Sequence, residues 1–175
     1  MSEIYTLAHK ITTKQINGFI VLLEKIKSQL PHKNHSESDL LAAKLAPDMM
    51  PLVKQIQLVA DHAKMAFRLA GMEPPVMEDN ETTLDQLIAK LKKTVEQIQN
   101  ISEDSYAHAE DRQIVLPIFA KMAPGKALEA QEYFVNFALP NFFFHLTTAY
   151  VILRNQGYEI GKMDFIGNLN MVDAK

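Results

Sequence analysis

Apolar residues recur every three or four positions along four long stretches of the chain, and this spacing limits the possible folds more than any other feature. Such a stripe gives a helix one apolar face that has to be buried and leaves the opposite face in water. The sequence therefore predicts an all-α fold, a four-helix bundle in a single domain over residues 1–175. The stripe of the first helix, predicted over residues 2–30 and ended by Pro31, is Ile4, Leu7, Ile11, Phe19, Leu22, Ile26 and Leu30.

Proline and glycine set the ends of the second predicted helix. It begins near residues 48–51, because a proline suits the first turn of a helix better than its middle. It runs to Ala70, since Gly71 is a natural residue for the position after a helix. The Pro74-Pro75 pair then keeps the helix from resuming nearby.

A capping box opens the third predicted helix, which covers residues 83–101. Thr83 and Gln86 have the spacing at which the two side chains bond to each other's backbone N–H groups. A run of charge on a helix is usually a solvated face. The lysines of this helix are therefore expected on or near its solvated side; they are Lys90, Lys92 and Lys93.

Proline also interrupts the last part of the chain. Residues 102–126 include Pro117, which argues against a central strand, so we expect an irregular insertion with a small hairpin before the last helix. The last helix is predicted over residues 128–156. Within it, Pro140 has no N–H to offer the carbonyl of Asn136, and we expect the helix to kink or split there.

Composition and charge exclude several classes of protein. The chain has no cysteine, which rules out disulfide frameworks, cysteine-ligated metals and a cysteine nucleophile. Its 18 Lys and Arg against 21 Asp and Glu give a net charge of −3, so nucleic acid is not an expected partner. No apolar stretch approaches the length that crosses a membrane, and residues 1–10 lack the apolar core of a secretory signal. We therefore expect a cytoplasmic protein with no membrane partner.

Two histidines are expected on the inner faces of their helices. At about 100° per residue, His145 shares the apolar face of the last helix, with Asn141 one turn before it. His62 falls inside the apolar arc of the second helix. Inward histidines on two helices, with an amide nearby, indicate a metal site made of His62, Asn141 and His145. The alternative, open at this point, is that each histidine is a structural residue bonded to a backbone carbonyl or a hydroxyl.

Three successive phenylalanines, Phe142, Phe143 and Phe144, also need a partner surface. Together they cover about 200° of the helix circumference, more than one buried stripe requires. Phe143 is expected to face away from the interior that His145 faces. Packing against the segment that follows the third helix explains this, and so does the interface of a homodimer, where aromatic residues are common. Both explanations stay open.

Sequence motifs spread over almost the whole chain resemble a known family. Residues 45–52 read LAPDMMPL and continue with QIQ at 55–57; residues 137–145 read FALPNFFFH and continue with TTAY at 147–150 and LR at 153–154; GK at 161–162 and DF at 164–165 follow. These motifs resemble an uncharacterised bacterial family of unknown function that is grouped with the DinB/YfiT-like metalloenzymes. The resemblance implies an up-down-down-up four-helix bundle that is often a homodimer.

The resemblance also implies a metal site. In the wider superfamily, three histidines hold a divalent metal, one from the second helix and two from a His-x-x-x-His pair in the last. His62 lies near the second-helix position, and His145 takes one place of the pair. Asn141 stands four residues before His145 and Ala149 four residues after it, so at least one histidine of the triad is missing. The implied cofactor is one divalent metal, Zn, Ni or Mn.

Two hypotheses of function follow from different classes. Some relatives carry out thiol-dependent transfer or isomerisation, which implies a metal-dependent, thiol-dependent transferase-like enzyme with a degenerate metal site. The thiol then comes from a cosubstrate, since the chain has no cysteine. The alternative is a non-catalytic dimeric bundle that binds a small apolar ligand or a protein partner. The missing histidine and the surplus of phenylalanine motivate this alternative.

Overall fold

Long helices form the core of the molecule, as the apolar stripes predict. The computed structural model describes residues 3–119, 122–169 and 171–174. In chain order the helices are α1 (Glu3–Gln29), α2 (Glu37–Ala42), α3 (Leu52–Ala63), α4 (Met65–Leu69), α5 (Leu84–Gln99), α6 (Ala130–Glu132), a π-helix (Tyr133–Ala138), α7 (Leu139–Asn155) and α8 (Lys162–Ile166). Helix α1 packs along α5 and α3 packs along α7, and their apolar faces share one core.

The directions of three long helices follow from contacts at their ends. Lys27, in the last turn of α1, forms an ion pair with Asp85, in the first turn of α5, so these two helices are antiparallel. Gln29, at the end of α1, accepts a hydrogen bond of 2.8 Å from the backbone N–H of Glu159, just beyond α7. Helices α1 and α7 therefore end at the same end of the bundle and run in the same direction.

Contacts of α2 show that α3 and α5 both begin at this same end. The backbone N–H of Leu84 donates to the carboxylate of Glu37 at 2.6 Å, and the N–H of Leu52 donates to the carbonyl of Ala43 at 2.9 Å. With α1 taken as up, the order is up-down-down-up, as the resemblance implied. The all-α bundle is confirmed.

Because α3 and α5 are parallel, the chain has to return along the bundle between them. A helix of 16 residues such as α5 is about 24 Å long, which a dozen extended residues can span. This return is made by residues 72–82, which form no helix or strand and are here called the strap. The polyproline pair at residues 74–75 suits such an extended path.

The second predicted helix is divided in two. It begins at Leu52 with Pro51 at the N-cap, and Lys64 then breaks it, because a ψ of 3° ends α3 and lets α4 start one residue later. The third helix starts as predicted: Thr83 is the N-cap, and its capping box with Gln86 is formed.

Pro140 divides the last helix by changing its winding rather than by a loop. A π-helix over Tyr133–Ala138 precedes it, and Pro140 lies in the first turn of α7. In a π-helix each carbonyl bonds to the N–H five residues on, which suits a stretch where one N–H is missing. A kink or a split was expected at Pro140; the backbone instead stays helical throughout, and only its winding changes.

The segment before the last helix is irregular, as expected. Strands β1 (Gln113–Ile114) and β2 (Leu128–Glu129) pair antiparallel and form the small hairpin. Short 3₁₀ turns fill most of the rest; they are Glu103–Tyr106, Ala109–Asp111 and Pro117–Phe119, and a further one, Leu30–His32, follows α1. Among the described residues, no helix has the length and apolar character needed to cross a membrane.

Lys90 is buried, which corrects its predicted place on the solvated side of α5. Its ammonium donates to the Glu78 carbonyl at 2.7 Å, to the Asp79 carboxylate at 2.6 Å and to the Glu81 carboxylate at 2.9 Å. All three acceptors belong to the strap, which crosses α5 at this point. Lys92 and Lys93 remain exposed, as predicted. The spacing within one helix could not reveal that a distant segment covers one of the three lysines.

Removing the Lys90 ammonium tests how strongly this contact holds the strap. We expect K90M to lower the free energy of unfolding by about 2–4 kcal/mol, because it removes the cation that pairs with Glu81 and leaves Asp79 with Lys54 alone. The control K93M, at an exposed position of the same helix, should change it by less than about 0.5 kcal/mol. Urea unfolding at pH 7 measures the free energy of unfolding of both variants. Equal stabilities for the two variants contradict the anchoring role.

Candidate functional site

The structure brings His62 and His145 together on facing sides of α3 and α7. Their rings are stacked, with centroids 5.1 Å apart and planes inclined by only 13°. His145 is buried, and His62 is half-buried. Both histidines therefore point inward, as the helical spacing predicts, and α3 and α7 hold them at the same height.

Gln55 holds the ring of His145, and the sequence analysis did not assign it a role. Its amide nitrogen donates to the carbonyl of Met50 at 3.2 Å, so its amide oxygen faces the histidine. That oxygen lies 2.8 Å from Nδ1 of His145 and accepts a hydrogen bond from it. Because a carbonyl can only accept, Nδ1 carries the proton and Nε2 has the lone pair. Gln55 lies seven residues before His62, on the same helix face, and this spacing was the available signal.

Both imidazoles are neutral at pH 7. Burial, together with the smaller effect of the neighbouring His62, lowers the pKa of His145 from 6.5 to about 4. Burial also lowers the pKa of His62, and the negative charge of Asp61 opposes this only in part. Two neutral rings can stack closely, whereas two imidazolium ions at this distance repel each other. The histidine pair thus offers hydrogen-bond donors and acceptors but no positive charge at pH 7.

Asn141 does not join the two histidines. Its side-chain amide donates to the carbonyl of Phe137, one turn back, at 2.6 Å. This bond falls in the region where Pro140 and the π-helix disturb the ordinary pairing of carbonyls with N–H groups. The contact therefore ties Asn141 to its own helix rather than to a ligand.

The donor set does not fit the three-ligand metal centre that the resemblance implies. Imidazole lone pairs lie in the ring planes, and two nearly parallel stacked planes cannot aim them at one ion about 2.0–2.1 Å from each nitrogen. The side-chain nitrogen of Asn141 is bonded to its own helix, so only the amide oxygen would be left as a ligand. Within residues 3–119, 122–169 and 171–174, no group of three or more His, Asp or Glu side chains is arranged to hold a metal. The metal site at His62, Asn141 and His145 stays a prediction.

His62 lies on the wall of a groove of about 480 Å³, here called the His62 groove. The end of α3 and helix α4 form one wall, and the strap at residues 74–77 forms another. The turn at residues 116–118 and the π-helix residues Tyr133 and Phe137 complete it. Most of these side chains are apolar. A larger groove of about 510 Å³ lies between α1 and the start of α8, away from the histidines.

The polar groups of the His62 groove are few. Asp61 and Lys64 pair with each other at 2.9 Å, so their charges cancel. Arg68 brings a second cation. Burial raises the pKa of Tyr133 to about 12, against the opposing effect of Arg68, so its phenol stays protonated at neutral pH. The groove thus combines apolar walls with a neutral imidazole, a phenol and a guanidinium.

The run of phenylalanines is arranged differently from the prediction. Phe143, expected to face away from the interior, is partly buried against the core and contacts Phe142 edge to face with centroids 5.3 Å apart. Phe144 is the exposed ring, with 57% of its surface in water. Its ring and that of His145 are arranged edge to face, with centroids 5.1 Å apart. Phe143 therefore packs against the core, although the helical angle predicted that it faces away from the interior.

Comparison with known proteins identifies the family. The family described as a domain of unknown function (DUF1993) matches residues 4–166. The chain belongs to this family. It is also similar to a solved structure, that of a DinB family member protein from Shewanella denitrificans, with 32% identity and a TM-score of 0.90. The match covers 98% of this chain and 96% of that one. No curated protein matches the chain. The DinB-like resemblance drawn from the sequence motifs is confirmed.

The pH dependence of the free energy of unfolding tests whether His145 is neutral in the folded protein. The unfolded chain binds a proton at His145 near pH 6.5, whereas the folded protein binds it only near pH 4. Stability therefore falls as pH drops from 6.5 to 4, by up to about 1.4 kcal/mol per pH unit for this group. H145Q can keep a donor to Gln55 but has no such titration. Urea unfolding between pH 4 and 7 should give a steeper slope for the natural chain, and equal slopes contradict the assignment.

Metal analysis tests the predicted metal site. From the ring geometry we expect tag-free DUF1993 protein, purified without chelator, to contain less than about 0.1 equivalent of Zn, Ni or Mn per chain. Mass spectrometry of the metals gives the number directly. One full equivalent that the double variant H62A/H145A loses contradicts the geometric argument and restores the metal prediction.

Proposed function

We propose that this DinB-like protein binds a small, largely apolar molecule in the His62 groove. This is the non-catalytic alternative of the sequence analysis, with the ligand-binding residues now named. Pockets for small molecules are commonly apolar, with few polar groups, and span about 300–1,000 Å³. The volume of about 480 Å³ and the apolar walls lie within that description.

One observation carries the proposal: the chain of contacts that ends at His62. Met50 orients Gln55, Gln55 orients His145, and the ring of His145 supports the ring of His62 from behind. Preorganised polar groups of this kind bind a ligand without losing rotamer freedom. His62 lines the groove, whereas His145 does not. His62 then offers a ligand one neutral hydrogen-bonding nitrogen on an otherwise apolar wall.

The homodimer expected from the resemblance stays a prediction. Phe144 and Val151 are exposed one above the other on the outer side of α7, with 57% and 40% of their surfaces in water. Two such side chains make a narrow apolar strip, which supports an interface more than Phe143 does. A cytoplasmic location stays a prediction as well.

Binding of 2-naphthol, an uncharged aromatic molecule with one hydroxyl, tests the proposal. We expect NMR chemical-shift changes confined to the His62 groove, because the naphthalene body matches its apolar walls and the hydroxyl can donate to His62. H62L should weaken binding about five- to tenfold, the effect of one hydrogen bond. H32L, the same substitution at an exposed histidine, is the control and should leave affinity unchanged. Shifts elsewhere, or equal losses in both variants, contradict the proposal.

A further inference from the structure

Arg68 differs from the other half-buried or buried cations because it lacks a partner. Lys90 is held by two carboxylates and Lys64 by Asp61. Arg112 donates to the backbone carbonyls of Leu69, Ser105 and Ala107. Across residues 3–119, 122–169 and 171–174, Arg68 has no ion pair and no side-chain hydrogen bond. A guanidinium that has lost part of its water and gained no acceptor favours the binding of an anion.

The surroundings of Arg68 leave it as the uncompensated charge of the His62 groove. The Asp61–Lys64 pair is neutral as a whole, and His62 is uncharged at pH 7. Glu73 lies with Arg68 along an adjoining groove of about 340 Å³, yet it is beyond ion-pair distance. The groove lining therefore has a net charge of +1, which matches one monovalent anion.

Tyr133 supplies a second donor in the same groove. Its side chain is buried at the start of the π-helix, and the residue lines the groove together with Arg68. No hydrogen bond of this hydroxyl is found in the described part of the chain. The positive field of Arg68 reaches it. A guanidinium and a phenol on one wall can both donate to a single carboxylate, the guanidinium through two parallel N–H groups.

We propose that Arg68 and Tyr133 bind the carboxylate of a small monocarboxylic acid whose apolar body lies in the His62 groove. The walls that meet this body are Leu58, Met65, Val76, Met77, Ile118 and Phe137. A doubly charged phosphate ester matches less well, because the groove has one uncompensated positive charge for its two negative charges. This inference rests on the proposed function and assigns the ligand class within it.

A matched pair of ligands, 2-naphthoate and its uncharged amide 2-naphthamide, tests the inference. Both have the same shape, so the difference in affinity reports the charge. We expect 2-naphthoate to bind the full chain about 10- to 50-fold more tightly in isothermal titration calorimetry at low salt. R68Q should abolish this preference while leaving the binding of the amide unchanged. R68K should keep only part of it, since an ammonium lacks the forked geometry. Y133F should reduce the preference about three- to tenfold.

The control is K93Q, which removes one positive charge from an exposed site and should leave the preference unchanged. Equal affinity of the naphthoate and the amide, both bound in the groove, overturns the assignment of an acid while the proposed function stands. A preference that survives in R68Q, or that K93Q reduces as much as R68Q does, overturns it too. Absence of both molecules from the groove overturns the inference together with the proposed function.

Discussion

The parallel direction of α3 and α5 is the constraint on which the rest of the structure depends. Parallel neighbours cannot be joined by a short turn, so the strap has to travel along the bundle and be held against it. Lys90 provides that hold, since its ammonium donates to the backbone carbonyl of Glu78 and to the carboxylates of Asp79 and Glu81. The same path carries residues 74–77 past the end of α3, where they become one wall of the His62 groove. The path that the parallel helices impose on the strap thereby forms one side of the His62 groove.

Two departures from regular helix shape the other walls. The helix is broken at Lys64 between α3 and α4, and a π-helix precedes Pro140 at the start of the last helix. Both departures lie at the His62 groove. In proteins generally, π-helical turns are frequent at functional sites. The regular parts of α3 and α7 instead hold the histidines in place. Rigid helices thus support the site, and irregular segments enclose it.

Local rules predicted much of this molecule. Apolar spacing predicted the helices, and the capping box of Thr83 and Gln86 predicted where the third long helix starts. Pro140 predicted that the last helix is interrupted. The inward direction of the histidines also followed from spacing along single helices. Spacing along a helix did not predict the partners of Lys90 or the hydrogen bond that His145 donates to Gln55. It also did not predict that Arg68 has no partner among the described residues. Each depends on which distant segments meet, 90 residues apart in the case of Gln55 and His145, and no period within one helix contains that information.

The strap contributes its side chains to the fold, but its backbone takes part in no helix or strand. Detaching it therefore breaks ion pairs and side-chain contacts and leaves every helical hydrogen bond intact. The strap is therefore attached to the bundle through charged groups, whereas the helices are held to one another by their apolar core.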